Sequence, residues 1–377
     1  MHSSRNGGVG ARAESALLPT AGYQGTDPAY ITASYQYGTI RLTGQSMKAS
    51  QKTAFAQALA TEMEGIKTDC VFDLGRQSYG EANGIIGMTG NTSTSCKVYP
   101  FNRYAEPGQP GGRYFKPQSF FDGGTIANPD VVGSATGVKI ISVSVAANSG
   151  TLYDTVQVSG SDANMSATAE PFMFNHGAGG AGLELKGIRA IIDDQTATNC
   201  YGLTGGFYNN AVIFNIDRDL VPGWNSTVDQ NSGVERIIDS FLMQKVSSKI
   251  QKAGGQDWDI AFGEYDVVDA LLDSVRHDRR FSSPDAFDAG GEIAFNGKSL
   301  IRDLLAPYNE LFLIHKPSLK WYTMCPMEFA DDDGSILKHL ASYDIFEAYL
   351  RSYIQLAVGE EAAPNTNGVI RDVKVDL

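Results

Sequence analysis

The most constraining stretch of this chain runs Tyr35-Gln-Tyr-Gly-Thr-Ile-Arg-Leu-Thr-Gly-Gln-Ser-Met-Lys-Ala-Ser50 and passes directly into a helical pattern from Gln51 to about Gly80. Residues 27–50 read as the two strands of an extended hairpin. Tyr30, Thr32, Ser34 and Gln36 alternate with Ile31, Ala33, Tyr35 and Tyr37, Gly38 gives a turn or bend, and Thr39 to Met47 continues the extended pattern. Such a hairpin is marginal alone in water and needs a partner surface. Ser50 is a plausible N-cap. Beyond it Phe55, Leu59, Met63, Ile66, Cys70 and Leu74 recur every three or four residues, one face of a helix of about seven to eight turns. Gly65 inside it marks a bend or a close packing point. A long helix fed by a hairpin without a core of its own suits a chain stabilised by neighbours better than one built around a pocket.

Residues 1–26 show no helical or strand period and are rich in Gly, Ser, Ala and Pro, with Arg5, Arg12 and Glu14 among them. Alone this segment would be disordered; it reads either as an arm ordered on a neighbour or as a tail. Residues 113–177 are β-like. Val138–Val145 and Thr151–Val158 flank the turn Asn148-Ser-Gly150, a hairpin signal within a small β-barrel-like insertion. Leu183–Ile192 is apolar and strand- or helix-like. A second amphipathic helix is expected from about Gly233 to Ala253, with Val234, Ile237, Ile238, Phe241, Leu242, Val246 and Ile250 buried and Gly254-Gly255 as its stop. Then come a strand at Asp259–Phe262, a helix at Tyr265–Arg276, a hairpin turning at Asn296-Gly297 and a buried strand at Leu311–Ile314. A mixed tail ends in Val369–Val373, and no internal repeat is visible.

The length of 377 residues fits two or three domains. A formal net charge of -13 argues against a general nucleic-acid binder, which needs a basic footprint, but not against a container whose wall repels packed DNA. No apolar run is long enough to span a bilayer, and Met1–Arg12 lacks the apolar stretch of a secretory signal, so a soluble chain made in a cytoplasm is expected. Cys70, Cys96, Cys200 and Cys325 are widely spaced without a CxxC, as for free thiols in a reducing compartment. The glycine-rich run His176–Gly182 lacks the GK[ST] ending of a phosphate loop and reads as a junction. Asp331–Gly334 lacks the later Glu of a calcium loop and reads as a solvated acidic turn. The histidines (His2, His176, His277, His315, His339) do not cluster, Asp193-Asp194 would point apart on a strand, and no nucleophile elbow or HExxH occurs. Arg276–Arg280 is either charge at a helix C-terminus or an inter-subunit salt-bridge site. No catalytic constellation, metal site or cofactor is expected.

Taken in order, the arm with Gly7–Arg12 and Glu14, the loop Ile40–Ser50, the long helix closed by Arg76-Gln-Ser-Tyr-Gly-Glu81 and Gly84–Gly87, Glu184–Ile188, Tyr201–Leu203, and a Gly-Gly-ended helix followed by Asp257–Phe262 resemble the major capsid proteins of tailed bacteriophages. The resemblance covers nearly the whole chain. It implies an α+β, HK97-like capsid fold with an N-terminal arm (1–26), an extended loop (27–50), a peripheral domain (51–112, 178–254 and 336–377) carrying the spine helix, a β-rich insertion (113–177) and an axial domain (255–335). It implies no enzyme, but pentamers and hexamers in an icosahedral shell around double-stranded DNA, a virion location and assembly in the host cytoplasm. It further implies a portal protein, a decoration protein as an option, and no membrane. Nothing before Tyr30 has the charged helical pattern of a built-in scaffold, so a separate scaffolding protein, or none, is expected. Expected inter-subunit residues are Arg5, Arg12 and Glu14 in the arm, Tyr35, Tyr37, Arg41 and Lys48 in the loop, and Glu62, Glu64 and Lys67 on the spine. The alternatives are an encapsulin-like bacterial compartment shell and a β-rich binding or hydrolytic tail component.

Overall fold

The computed structural model describes residues 2–4, 6–49, 52–82, 84–89, 94–99, 112–124, 136–144, 154–159, 172–176, 183–194, 212–231, 234–278, 293–332, 334–359 and 363–375. A six-stranded mixed sheet is its centre, in the order Thr227–Asp229, Gly368–Ile370, Leu311–Ile314, Ile260–Gly263, Lys298–Arg302, Ile293–Phe295. Strand side chains alternate between faces, so one apolar run serves two cores. Leu311 and Leu313, with Ala261, Leu300 and Ile370, pack on Leu242, Met243, Val246 and Ile250 of helix Ser240–Gly254 and on Val267, Val268 and Leu271 of helix Tyr265–Asp278. Phe312 and Ile314, with Ile260 and Val369, pack on Tyr79, Ile191, Trp224 and Leu356 on the opposite side. The expected turn holds: Asn296 and Gly297 have φ of 50° and 76° and join antiparallel strands.

The helix expected from Gly233 starts seven residues later, at Ser240. Asp239 caps it, accepting the Leu242 N–H at 2.7 Å, and Gly255 ends it in the left-handed region. The expected buried stripe is corrected accordingly. Ile238, Leu242, Val246 and Ile250 are buried, but Val234, Ile237 and Phe241 are 63%, 70% and 74% exposed. Leu183–Ile192 resolves into a short helix, Ile188–Ile191.

A closed six-stranded barrel forms a second unit. Its order is Ile85–Thr89, Ser95–Tyr99, Asp154–Val158, Val138–Ser144, Phe120–Gly124, Phe172–Asn175 and back to the first strand. It contains the expected hairpin of Val138–Ser144 with Asp154–Val158 and draws two further strands from before residue 113. Val98, Phe115, Phe121, Ile140, Val156 and Met173 fill its interior.

The spine helix runs Lys52–Tyr79, 28 residues, close to the span read from the sequence. The hairpin expected at 27–50 is different. A single strand, Ser34–Thr43, is followed by a short helix, Gly44–Ala49, where the second strand was expected. Its partner is the distant strand Ile345–Val358, antiparallel from Ser34 opposite Ile354 to Thr43 opposite Ile345. Leu319–Phe329 lies along the other edge of Ile345–Val358, completing with Lys338–His339 a four-stranded sheet. The Gly44 N–H donates to the Asp344 carbonyl at 2.8 Å, so the chain turns off the sheet at that point. Pairing across some 300 residues leaves no local turn signal to read.

Candidate assembly surface

Strand Ser34–Thr43 presents two chemically distinct faces. Its even-numbered residues face the spine helix. Ser34 Oγ donates to the Leu183 carbonyl at 2.8 Å, Gln36 Nε2 donates to Ser34 Oγ at 2.9 Å, and Ile40 is buried. Between them Gly38 lets the backbone approach the helix: a Cβ there would lie 2.9 Å from Cys70 Sγ and 3.0 Å from Ile66.

The odd-numbered residues Tyr35, Tyr37, Thr39 and Arg41 form the other face, opposite Tyr353, Arg351, Tyr349 and Glu347. Tyr35 and Tyr37 are 56% and 58% exposed and stack edge-on against Tyr353, with ring centroids 5.1 and 6.0 Å away. Tyr37 Oη donates to Tyr353 Oη at 3.3 Å, and this hydrogen bond raises the Tyr37 pKa above the ordinary phenol range. Arg41 Nε donates to Glu347 Oε1 at 3.2 Å, an exposed pair that contributes little to stability. Arg351 donates to both oxygens of Asp332 at 2.9 Å each and to Glu328 Oε1 at 3.2 Å. The hydrogen bonds from Arg351 hold the Asp332 carboxyl below its usual range. The acidic turn Asp331–Gly334 is thus clamped by an arginine across the sheet.

Three expected residues, Tyr35, Tyr37 and Arg41, therefore share one solvent-facing sheet surface. The others lie elsewhere. Lys48 is exposed on the short helix, and Glu62 and Glu64 are exposed on the spine. Lys67 sits 5.4 Å above the Phe329 ring, on the helix side of the sheet. Arg12 and Glu14 are exposed, Arg12 bonding only its neighbour Ala11 among the described residues; Arg5 lies outside them. The arm's apolar side chains are exposed as well: Val9, Leu17, Leu18 and Tyr23 at 84–93%. Just beyond the arm the chain is anchored where the Tyr30 N–H donates to the Phe214 carbonyl at 2.9 Å. The sequence reading missed Glu347, Tyr349, Arg351 and Tyr353, although their period of two within an otherwise apolar run is a strand signal.

Buried and half-buried charges bind the units together. Arg76 pairs with Glu184 and, at 2.9 Å, with Asp73; burial opposes its charge, and the two carboxylates outweigh burial and raise its pKa. Arg113, at the barrel, pairs with Glu264 at 3.1 Å and donates to the Leu304 carbonyl at 2.8 Å. Lys116 pairs with Asp69 of the spine at 2.6 Å. A cavity of about 290 Å³ between strand, spine and barrel is lined by Cys70, Phe72, Arg76, Tyr114 and Lys116, and its cations are engaged in these pairs. His176 Nδ1 lies 2.8 Å from Asp122, while 177–182, Cys200 and the side chains of Arg276–Arg280 lie outside the described residues. Among the described residues no group of three or more His, Cys, Asp or Glu has metal-binding geometry.

No protein-family model and no curated protein matches the sequence. Solved structures do match. A chain of the cyanophage A-1(L) capsid asymmetric unit superposes with a TM-score of 0.52 at 12% identity, covering 99% of this chain and 86% of that one. A chain of the cyanophage Pam1 capsid asymmetric unit gives a TM-score of 0.33 at 10% identity, covering 98% and 84%. The SrpI encapsulin of Synechococcus elongatus PCC 7942 gives 0.31 at 9% identity, covering 42% and 59%. The chain has the α+β fold of a phage capsid protein.

Proposed function

We propose that this chain is the major capsid protein of a tailed bacteriophage, assembling as pentamers and hexamers into an icosahedral head around double-stranded DNA. The observation that carries the reading is the fold shared with a cyanophage capsid chain over 99% of the sequence. The arm also leaves Leu17, Leu18 and Tyr23 almost wholly in water, apolar surface that a neighbouring copy can cover. In this reading the arm, the Tyr35–Tyr37–Arg41 face, Lys48 and the spine residues Glu62, Glu64 and Lys67 meet neighbouring copies. Many weak repeated contacts then sum over a closed symmetric shell. The peripheral domain comprises 51–112, 178–254 and 336–377, the axial domain 255–335 and the insertion 113–177, whose barrel also takes in the strands Ile85–Thr89 and Ser95–Tyr99 of the first stretch. A separate scaffolding protein, a portal and an optional decoration protein complete the particle, which is built in the host cytoplasm. The net charge of -13 fits enclosure of DNA without sequence-specific binding. The role is structural and not enzymatic.

Negative-stain electron microscopy with size-exclusion chromatography tests this, on the chain alone and co-expressed with its scaffolding protein. Closed shells, tubes or rings of five and six subunits are expected. Closed particles loaded with a cargo enzyme would replace the phage head by a bacterial compartment. A small monodisperse species even with the scaffold present would overturn the shell reading.

A further inference from the structure

Six charged side chains from separate parts of the chain are buried together beneath the end of the spine helix. They are Glu81 just past that helix, Arg189 in the short helix Ile188–Ile191, Asp193 beyond it, Arg218, Glu310 leading into strand Leu311–Ile314, and Arg371 following Gly368–Ile370. Glu310 has the closer partner: its Oε1 accepts from Arg189 Nη2 at 2.9 Å and lies 3.4 Å from Arg371 Nε, although its Oε2, like that of Glu81, has no hydrogen-bond partner among the described residues. Asp193 Oδ2 lies 3.7 Å from Arg218 Nη1. Glu81 is served poorly. Its Oε1 is 3.7 Å from Arg189 Nε, beyond hydrogen-bond reach, and its Oε2 has no hydrogen-bond partner among the described residues. The position is a mechanical junction. Glu81 bridges Lys186 through the backbone, and the Gly187 N–H donates to the Gly80 carbonyl at 3.1 Å. Here the spine ends, the chain enters the barrel, and the segment returning from the barrel packs back.

We propose that Glu81 is a proton-operated latch: neutral, it packs the spine end against the short helix and the central sheet; ionised, it loosens that junction. Burial of an ionised carboxylate that lacks hydrogen bonds is costly. Burial pushes the Glu81 carboxyl up to about 7. Arg189 and Arg371 pull it down by less, and Asp193 and Glu310 add to the rise. An unfolded Glu titrates near ~4.3. The folded group binds its proton more tightly, so its contribution is fully present below that pH. It is lost progressively as pH rises through about 7 and is level above.

The test compares the full wild-type chain with Glu81→Gln, which keeps the neutral shape, by thermal unfolding between pH 5 and 9. The gap between the two should be smallest at pH 5 and should widen as pH rises, until the variant melts several degrees higher at pH 8.5. Independently, amide exchange in the wild type, corrected for the intrinsic rate, should quicken about tenfold or more at 79–82 and 186–192 between pH 5.5 and 8, as the population of the open junction grows. An offset between the two chains equal at every pH, or corrected exchange that does not change with pH, would overturn the latch. If Glu81→Gln does not fold, the wild-type exchange profile decides alone.

Discussion

Gln36 and Gln77 bond to each other twice: Gln36 Nε2 donates to Gln77 Oε1 at 2.9 Å, and Gln77 Nε2 donates to Gln36 Oε1 at 3.0 Å. Gln77 also donates to Asp73 Oδ2 at 2.7 Å and accepts the Leu185 N–H at 3.2 Å. One buried amide thus joins the strand, the last turn of the spine and the segment returning from the barrel. Gln77→Ala strips partners from a buried amide N–H and should cost about 1–3 kcal/mol. Chemical denaturation checks the value; a change under about 0.5 kcal/mol, the usual range of a surface substitution, would mean that the network is not formed in solution.

At Gly38 the prediction is steric. Gly38→Ala puts a methyl group 2.9 Å from Cys70 Sγ and 3.0 Å from Ile66, so strand and helix must part. A loss of about 1–3 kcal/mol is expected, as for other overpacked sites. Adding Cys70→Ala removes the nearest clash and should restore part of it, a non-additivity that a double-mutant cycle reads directly.

The outward sheet face separates folding from assembly. Tyr35→Ala with Tyr37→Ala removes exposed rings and an exposed hydroxyl pair, so the melting of the isolated subunit should fall only slightly, by about 1 kcal/mol or less. Particle yield, scored by electron microscopy, should fall sharply if neighbouring copies cover this face. Undiminished yield would remove the two tyrosines from the assembly surface.

Cys96 reports on closure of the barrel. Its side chain is buried among Val98, Phe121 and Met173, and burial pushes its thiol up to about 11. The reactive thiolate is therefore scarce at pH 8. Iodoacetamide at pH 8 should leave Cys96 unmodified in the native chain and label it in denaturant, as mass spectrometry of the peptides will show. Native labelling at the denatured rate would mean an open barrel.

The elements that the sequence announced are those with local causes. The spine has an apolar residue on every turn from Leu59 to Leu74, and Asn296-Gly297 supplies both residues with positive φ that its turn requires. The errors came where a distant partner or an unread cap decided the outcome. Tyr35 and Arg41 share a face because Ile345–Val358 lies beside them, and nothing near residue 40 encodes that neighbour. Asp239 is followed by Ser-Phe-Leu and was readable as a cap, which would have placed Val234 and Ile237 outside the helix. The Glu81 junction was invisible as well, since its partners at 189, 193, 310 and 371 meet only in the folded chain.

The position of Gly368–Ile370, wedged between Thr227–Asp229 and Leu311–Ile314, has a bearing on timing. At ribosomal speeds of about 5–20 residues per second, roughly 10–40 seconds separate the addition of residue 175 from that of residue 370. Until then Val369 and Ile370 are missing from both faces of the sheet. The barrel strands, complete by Asn175, can close much earlier. Each growing chain can therefore close its barrel while the central sheet still lacks the strand that joins Thr227–Asp229 to Leu311–Ile314.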